Sequence, residues 1–265
     1  KEETVERFAE FCHRSAAALG GSVGRACTLN EPNVVATMGY VMGMFPPGRN
    51  DPGAARAVSE NVVSAHRKAV DAIRAAETGL PVGLTLSMTD YQAAEGGEER
   101  TAHIRAVHED LFLHATAGDD FLGVQTYTRM LIGPNGWIGP EPSVPVLQMG
   151  YELWPDALAA CLRRAWTMTA GKVPLWVTEN GIGTDDDEQR VDFVASALKG
   201  VLDVIAEGVD VRGYTYWSLL DNFEWAFGYR PKFGLVSVDR NTFERHPKPS
   251  AQWLSEVARS NRLPG

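Results

Sequence analysis

Two glutamates lie in matching local contexts and could carry out chemistry together. Glu31 ends the run VGRACTLNE, and Glu179 ends the run VPLWVTE. Pro32 follows the first and Asn180–Gly181 follows the second, and these residue types stop strands. In an α/β barrel the downstream strand ends form the active-site face. Two carboxylates on that face suit acid-assisted cleavage of a glycosidic bond, whereas either glutamate taken alone is more simply read as a salt-bridge partner.

The composition is that of an ordinary folded protein and excludes several classes of partner. The chain has 265 residues, of which 44% are hydrophobic and 22% charged. Its net charge of −9 argues against nucleic acid and anionic membranes as partners. No apolar stretch approaches the roughly 20 residues that a membrane span needs. The cysteines at Cys12, Cys27 and Cys161 are too few and too scattered for a disulfide framework, so we expect a reducing, cytoplasmic setting.

Apolar runs that predict strands alternate with segments whose apolar residues recur at helical spacing. The first predicted strand ends at Leu29, and the others are Pro81–Met88, Asp120–Thr126, Leu175–Thr178 and Val211–Trp217. The predicted helices are a segment from Val5 to Leu19, Asp51–Thr78 with Asp51 as its N-cap, Glu98–Ala117, Pro155–Thr169, Glu188–Ala206 and Ser250–Arg259. Glycine and proline in Asn33–Asn50 and in residues 129–150 predict long loops.

Strict alternation of this kind predicts a parallel sheet with helices packed outside it. The longest loops follow strands, as in a (β/α)8 TIM barrel whose site lies at the strand ends. Only five strands are found, so the barrel is expected to be partial. The chain begins within a helical pattern, without a preceding strand. We therefore expect residues 1–265 to be a single catalytic-domain fragment, the C-terminal part of a TIM barrel.

Four segments identify a family. They are TLNEP at positions 28–32, VTENG at 177–181, WSLLDNFEW at 217–225 and GYRPKFGLVSVDR at 228–240. In type and order they resemble the signatures of glycoside hydrolase family 1, and the resemblance extends over essentially the whole chain. It implies a retaining glycosidase of β-glucosidase type on an eight-stranded barrel.

The resemblance assigns roles to the residues around the two glutamates. Glu31 matches the general acid/base and Glu179 the nucleophile that forms a covalent glycosyl-enzyme. A retaining mechanism requires the two carboxyl groups to lie about 5–5.5 Å apart. Asn30 matches the residue that hydrogen-bonds the sugar 2-hydroxyl, although an amide before a proline also suits a simple turn.

Two tyrosines match further positions of the family. Tyr127 matches the tyrosine whose hydroxyl orients the nucleophile, with Gln125 and Thr126 standing where the family usually has asparagine and often has tyrosine. Tyr151 stands where tryptophan is common, so we expect a stacking wall there on the aglycone side. Packing is the alternative role for both tyrosines.

The remaining candidates are expected to hold the nonreducing sugar. Aromatic faces of Trp217 and Trp225 would stack on it, and Glu224 would accept hydrogen bonds from vicinal hydroxyls. Relatives acting on 6-phosphosugars generally lack this glutamate, so a non-phosphorylated glucoside is expected. Phe233 is predicted to cap the same subsite. Without the motif, these residues would read as a buried aromatic cluster with one satisfied glutamate.

The family's first three strands carry further sugar ligands, and no counterpart of them occurs in this sequence. We therefore expect the missing N-terminal barrel segment to be a partner, and the fragment alone to be inactive. No cofactor and no metal site is implied. A non-catalytic sugar-binding or assembly half of a split protein is the alternative function, and the choice between hydrolysis and transglycosylation stays open.

Overall fold

The computed structural model describes residues 2–264 as alternating helices and strands. The helices are α1 (Glu2–Leu19), α2 (Pro32–Ala36), α3 (Pro52–Arg74), α4 (Glu98–Arg105), α5 (Leu111–Ala115), α6 (Ala157–Met168), α7 (Asp187–Ala206) and α8 (Pro249–Ser260). The strands are β1 (Ala26–Asn30), β2 (Val82–Ser87), β3 (Asp90–Ala93), β4 (Phe121–Gln125), β5 (Arg129–Gly133), β6 (Gly136–Trp137), β7 (Leu175–Glu179), β8 (Val211–Tyr214), β9 (Val236–Val238) and β10 (Arg245–Pro247). Among these residues no helix combines the length and apolar character that crossing a bilayer would require.

The principal sheet contains five parallel strands in the order β1-β2-β4-β7-β8. These are the five strands predicted from the sequence, so the α/β prediction is confirmed. Central strands such as β2 and β4 are buried along nearly their whole length, because strands of such a sheet are covered on both faces. Strand β8 ends at Tyr214, which leaves Trp217 in the segment that follows it.

Both predicted long loops contain regular structure, so the prediction of loops was wrong for part of each. Residues 33–50 include most of α2 and a π-helical turn, Thr37–Val41. Residues 129–150 include β5 and β6, which form a second sheet with β3. The strand β5 pairs in parallel with β3, from Asp90 opposite Arg129 to Ala93 opposite Ile132. Because β3 lies far from β5 in the chain, the local glycine content of residues 129–150 does not reveal this pairing.

The described chain divides into two compact units. The first comprises residues through Met88 with Ile104–Val124 and Ala165–Trp176, and the second comprises Thr89–His103, Gln125–Arg164 and residues from Val177 onward. In the first, α1 packs on α3 around a core that includes Cys12, Ala69 and Val82. Asp51 caps α3 as predicted, since its Oδ1 accepts the Ala54 N–H at 3.0 Å.

The second unit has its own core, to which α7 and α8 contribute. Its buried members are Leu147, Ile182, Phe193, Val194, Tyr216 and Leu235. The N-terminus of α7 is capped by Asp186, whose Oδ1 accepts the N–H groups of Glu188 and Gln189. This core fixes the segments that follow β7 and β8, and the second of these segments carries Trp217, Glu224, Trp225 and Phe233.

Candidate active site

Glu179 is held by donors on both of its carboxylate oxygens. The Tyr127 hydroxyl donates to Oε2 at 2.5 Å, and Nε2 of Gln125 donates to Oε1 at 2.6 Å. The backbone joins the same segments, because the Thr126 N–H donates to the Glu179 carbonyl at 3.1 Å. The end of β7 and the segment leaving β4 thus fix one carboxylate in position. Sequence reasoning gave Gln125 no role, since its contact joins positions 54 apart.

The residues after Glu179 explain why the strand ends there. Asn180 is buried, its Nδ2 donates to the Thr126 carbonyl at 2.8 Å, and its Oδ1 accepts the Tyr214 hydroxyl at 2.9 Å. At Gly181 an added Cβ would lie 2.1 Å from the Trp217 carbonyl oxygen, so only glycine fits. The Asn180–Gly181 pair therefore lets the backbone at Trp217 pack closely against the end of β7.

The aromatic ring of Phe233 packs against Tyr127. The ring of Phe233 is 3% exposed and meets the Tyr127 ring edge to face, with centroids 6.0 Å apart. The Phe233 carbonyl accepts the Tyr216 hydroxyl at 2.9 Å. Phe233 therefore contacts the ring that orients Glu179, a position compatible with the predicted sugar cap and with packing.

Glu224 places a second carboxylate within electrostatic reach of Glu179. Burial raises the pKa of Glu224, and a hydrogen bond with the Trp217 side chain lowers it. Burial also raises the pKa of Glu179, the Tyr127 hydrogen bond lowers it, and the negative charge of Glu224 raises it further. Burial raises the pKa of Tyr151 strongly, with Glu224 again adding to the shift, so that phenol stays protonated.

The structure brings six of the predicted residues into one neighbourhood of the second unit. They are Tyr127, Tyr151, Glu179, Trp217, Glu224 and Phe233. Tyr151 packs on the core around Leu147 and Tyr216. Trp225 opens a 3₁₀ turn after Glu224 with a left-handed backbone, at a φ of 44°, and is 66% exposed. Its large open aromatic face follows Glu224 directly in the chain.

A fully buried arginine organises the backbone around this neighbourhood. Arg190 on α7 donates from Nη1 to the carbonyls of Ile182 and Phe233 and to the Tyr216 hydroxyl. Its Nη2 donates to two further carbonyls, those of Thr184 and Lys232. Its Nε pairs with Asp187 at 2.9 Å. The guanidinium thereby fixes the segments after β7 and β8 relative to each other.

A second buried arginine, Arg129, pairs with Glu152, the residue after Tyr151 in the chain. Nε of Arg129 pairs with Glu152 at 2.5 Å, Nη2 pairs with Glu141 at 2.6 Å, and the guanidinium covers Trp154 at 3.4 Å. The side chains of Arg129 and Glu152 are only 6% and 4% exposed. Sequence reasoning missed this cluster, although a lone arginine and glutamate within apolar segments are a weak signal for it. The ion pair anchors the loop that carries Tyr151.

Glu31 and Asn30 lie in the first unit, at the end of β1. Glu31 adopts a left-handed backbone with φ 45° and ψ 56° and immediately precedes Pro32, the first residue of α2. Its N–H donates to the Thr85 carbonyl at 3.0 Å, and its carbonyl accepts the Val34 N–H at 2.9 Å. The Asn30 side chain is also anchored, because its Oδ1 accepts the Thr85 hydroxyl at 2.9 Å. Their roles remain predictions.

Among the described residues no group of three or more histidine, cysteine or acidic side chains is arranged to bind a metal ion. The arrangement around Glu179 is instead that of an oriented carboxylate beside aromatic rings and a second acid. A fixed carboxylate of this kind can attack an electrophilic carbon, and neighbouring rings and acids can bind a sugar.

Comparisons with known proteins identify relatives of this chain. The model of glycosyl hydrolase family 1 matches residues 1–132 and 117–263. A β-galactosidase from Sulfolobus acidocaldarius is 32% identical over 98% of this chain and 60% of its own length. β-Glucosidase A from Thermotoga maritima is 30% identical over 98% of this chain and 69% of its own length. The chain thus spans about 60–70% of these relatives.

Solved structures show the same fold. A crystallised β-glycosidase superposes with a TM-score of 0.89 at 42% identity, covering 100% of this chain and 69% of that one. The Thermotoga maritima β-glucosidase in complex with deoxynojirimycin has a TM-score of 0.92 at 27% identity, covering 100% and 70%. The prediction of a partial (β/α)8 barrel is confirmed. By sequence and by fold, the chain belongs to glycosyl hydrolase family 1.

Proposed function

We propose that this chain carries the catalytic residues of a retaining β-glycosidase that acts on non-phosphorylated β-glucosides. The observation that supports this most directly is the Glu179 carboxylate, held on both oxygens by Tyr127 and Gln125 and flanked by Glu224. A nucleophile needs such fixation, because misplacement of reacting atoms by about an ångström can cost a hundredfold in rate.

The reaction would proceed by two displacements. A Glu179 oxygen attacks the anomeric carbon while the bond to the leaving oxygen breaks, and Glu31 donates its proton to that oxygen. Water then attacks the anomeric carbon, Glu31 takes the proton from the water, and the ester bond to Glu179 breaks. The sugar leaves with its original anomeric configuration, and both carboxyl groups return to their starting states.

Glu224 supports the choice of substrate. Its two oxygens can accept hydrogen bonds from neighbouring hydroxyls of the nonreducing sugar. Trp225 follows it in the chain, and the Trp217 side chain hydrogen-bonds to it. A phosphate at the 6-position would meet the charge of Glu224 and be repelled. The names of the relatives, β-glucosidase and β-galactosidase, agree with a neutral pyranose as glycone.

A further barrel segment is part of the proposal. The chain spans about 60–70% of its relatives, and five strands are fewer than a closed eight-stranded barrel requires. We infer that hydrolysis needs the remaining strands and that the 265 residues alone turn over little substrate. Expression of the chain alone and together with its upstream coding sequence tests this directly. Robust hydrolysis of an aryl β-glucoside by the chain alone would contradict it.

Chemical rescue tests the role of Glu179. In the protein extended by the upstream sequence, Glu179→Gly should abolish hydrolysis of an aryl β-glucoside, and added azide should restore rate and yield the α-glycosyl azide. The matched control is Glu77→Gly, because Glu77 is exposed and its φ of 56° accommodates glycine. Full hydrolysis by Glu179→Gly would instead favour a non-catalytic sugar-binding or assembly module.

A further inference from the structure

We propose that Gln125 is a positioning residue that fixes the orientation of the Glu179 carboxylate, an inference that rests on the proposed function. Gln125 ends β4, is 2% exposed, and its Nε2 donates to Oε1 of Glu179 at 2.6 Å. The family resemblance implied no such contact, since asparagine is usual at this place.

The geometry makes Gln125 the counterpart of Tyr127. Residues 125 and 127 lie two positions apart, so extended chain directs both side chains to one side. Tyr127 holds Oε2 and Gln125 holds Oε1, while the backbone N–H of Thr126 between them holds the Glu179 carbonyl. Donors on both oxygens restrict rotation of the carboxylate about its terminal bond. Both donors are neutral, so they orient the anion without pairing its charge.

The length of the glutamine side chain decides the contact. Asparagine is shorter by one methylene, a carbon–carbon bond of about 1.5 Å. Its amide nitrogen would then lie roughly 4 Å from Oε1, which is outside hydrogen-bonding distance. In Gln125→Asn, Oε1 of Glu179 therefore loses this donor, although the new side chain still carries an amide. Gln125→Asn is therefore an informative substitution as well as a conservative one.

Loss of this donor has a consequence that packing alone would not produce. Burial and the charge of Glu224 both raise the pKa of Glu179, and the Tyr127 hydrogen bond opposes that rise. A donor to the charged form from Gln125 acts in the same direction. Removal of the Gln125 donor should raise the pKa of Glu179 further. The acidic limb of kcat/KM, which reports ionisation in the free enzyme, should move to higher pH.

The first experiment measures pH profiles of kcat/KM for an aryl β-glucoside in the extended protein. Gln125→Met and Gln125→Asn should each lower kcat/KM about tenfold or more and move the acidic limb up by about one pH unit. The matched control is Gln252→Met, which removes a surface hydrogen bond from Gln252 Nε2 to Glu256 at 3.1 Å. That control should leave both quantities unchanged. An acidic limb unmoved in both Gln125 variants would overturn the proposal, even where kcat/KM falls.

A second measurement separates failure of this inference from failure of the proposed function. The carboxyl pKa of Glu179 is followed by carbon-13 NMR of glutamate-labelled protein, with Glu179→Gln assigning the signal. A higher pKa in Gln125→Asn than in the parent protein supports the contact, and an equal pKa overturns it, whether or not the protein turns over. Absence of hydrolysis by the parent protein, with no labelling of Glu179 by a 2-fluoroglucoside, counts against the glycosidase proposal alone.

Discussion

The ring of Phe233 meets the ring of Tyr127 edge to face, at 84° between planes and 6.0 Å between centroids. Tyr127 in turn donates its hydroxyl to Glu179 at 2.5 Å. The buried Phe233 side chain thus influences the Glu179 carboxylate indirectly, because it packs against the Tyr127 ring that donates to it. Edge-to-face pairs contribute about 0.5–1.5 kcal/mol beyond the area that they bury. Phe233 therefore restricts the position of the donor that orients Glu179.

Substitution of Phe233 by leucine should slow the enzyme without unfolding it. The change keeps an apolar side chain but removes the ring edge, so we expect kcat/KM to fall roughly threefold to tenfold. Stability should fall by about 1 kcal/mol. Steady-state kinetics and urea unfolding measure the two effects. Phe243→Leu is the control, since that ring is 66% exposed. Equal kinetics in both variants would show that Phe233 serves packing alone.

The pH dependence of activity should respond to Glu224. In the proposed mechanism, protonation of Glu179 removes the nucleophile, so we expect activity to be lost as pH falls through its raised pKa. The negative charge of Glu224 contributes to that rise, and Glu224→Gln should therefore move the acidic limb of kcat/KM to lower pH. The surface variant Glu188→Gln is the control. A limb that stays in place or moves upward in Glu224→Gln contradicts the electrostatic coupling.

Arg190 should be essential for the fold of the second unit. Its removal leaves Asp187 without its 2.9 Å partner and leaves buried carbonyls such as those of Ile182 and Thr184 without this donor. Breaking a buried pair costs about 3–5 kcal/mol, so Arg190→Met should lower the free energy of unfolding by that order. Arg190→Lys should not rescue it, because an ammonium cannot reproduce the guanidinium fork.

A surface pair provides the comparison for Arg190. Arg163 pairs with Glu207 at 2.6 Å, but both side chains are nearly half exposed. Its replacement by methionine should cost about 0–1 kcal/mol. Urea unfolding of Arg163→Met and Arg190→Met measures both changes. Similar losses in the two variants would mean that the buried network does not dominate stability.

The sequence predicts the principal strands well because their apolar runs are local and bounded by turn residues. The sequence singles out Glu179 and Tyr127 because they stand in motifs. Gln125 is missed because its contact depends on β4 and β7, which are far apart in the chain. Arg190 is missed because a charged residue on an amphipathic helix ordinarily faces solvent. Such contacts arise from tertiary packing, and no local pattern specifies them.

The backbone of Glu31 lies in the left-handed region, with a φ of 45°. The left-handed conformation costs residues other than glycine about 1–2 kcal/mol, and such strain is concentrated at functional sites. Hydrogen bonds from Glu31 N–H to Thr85 and from Val34 N–H to Glu31 fix this conformation. Glu31→Ala keeps the strain, whereas Glu31→Gly relieves it.

Glycine also adds freedom to the unfolded chain, which costs about 0.4–1 kcal/mol. The difference between the two effects favours glycine, so Glu31→Gly should be more stable than Glu31→Ala by about 0.5–1 kcal/mol. Urea unfolding of the two variants measures this difference directly. In the proposed mechanism neither variant can protonate the leaving oxygen, so both should fail to hydrolyse substrates with poor leaving groups. Greater stability of the alanine variant would show that the left-handed backbone at Glu31 is not strained.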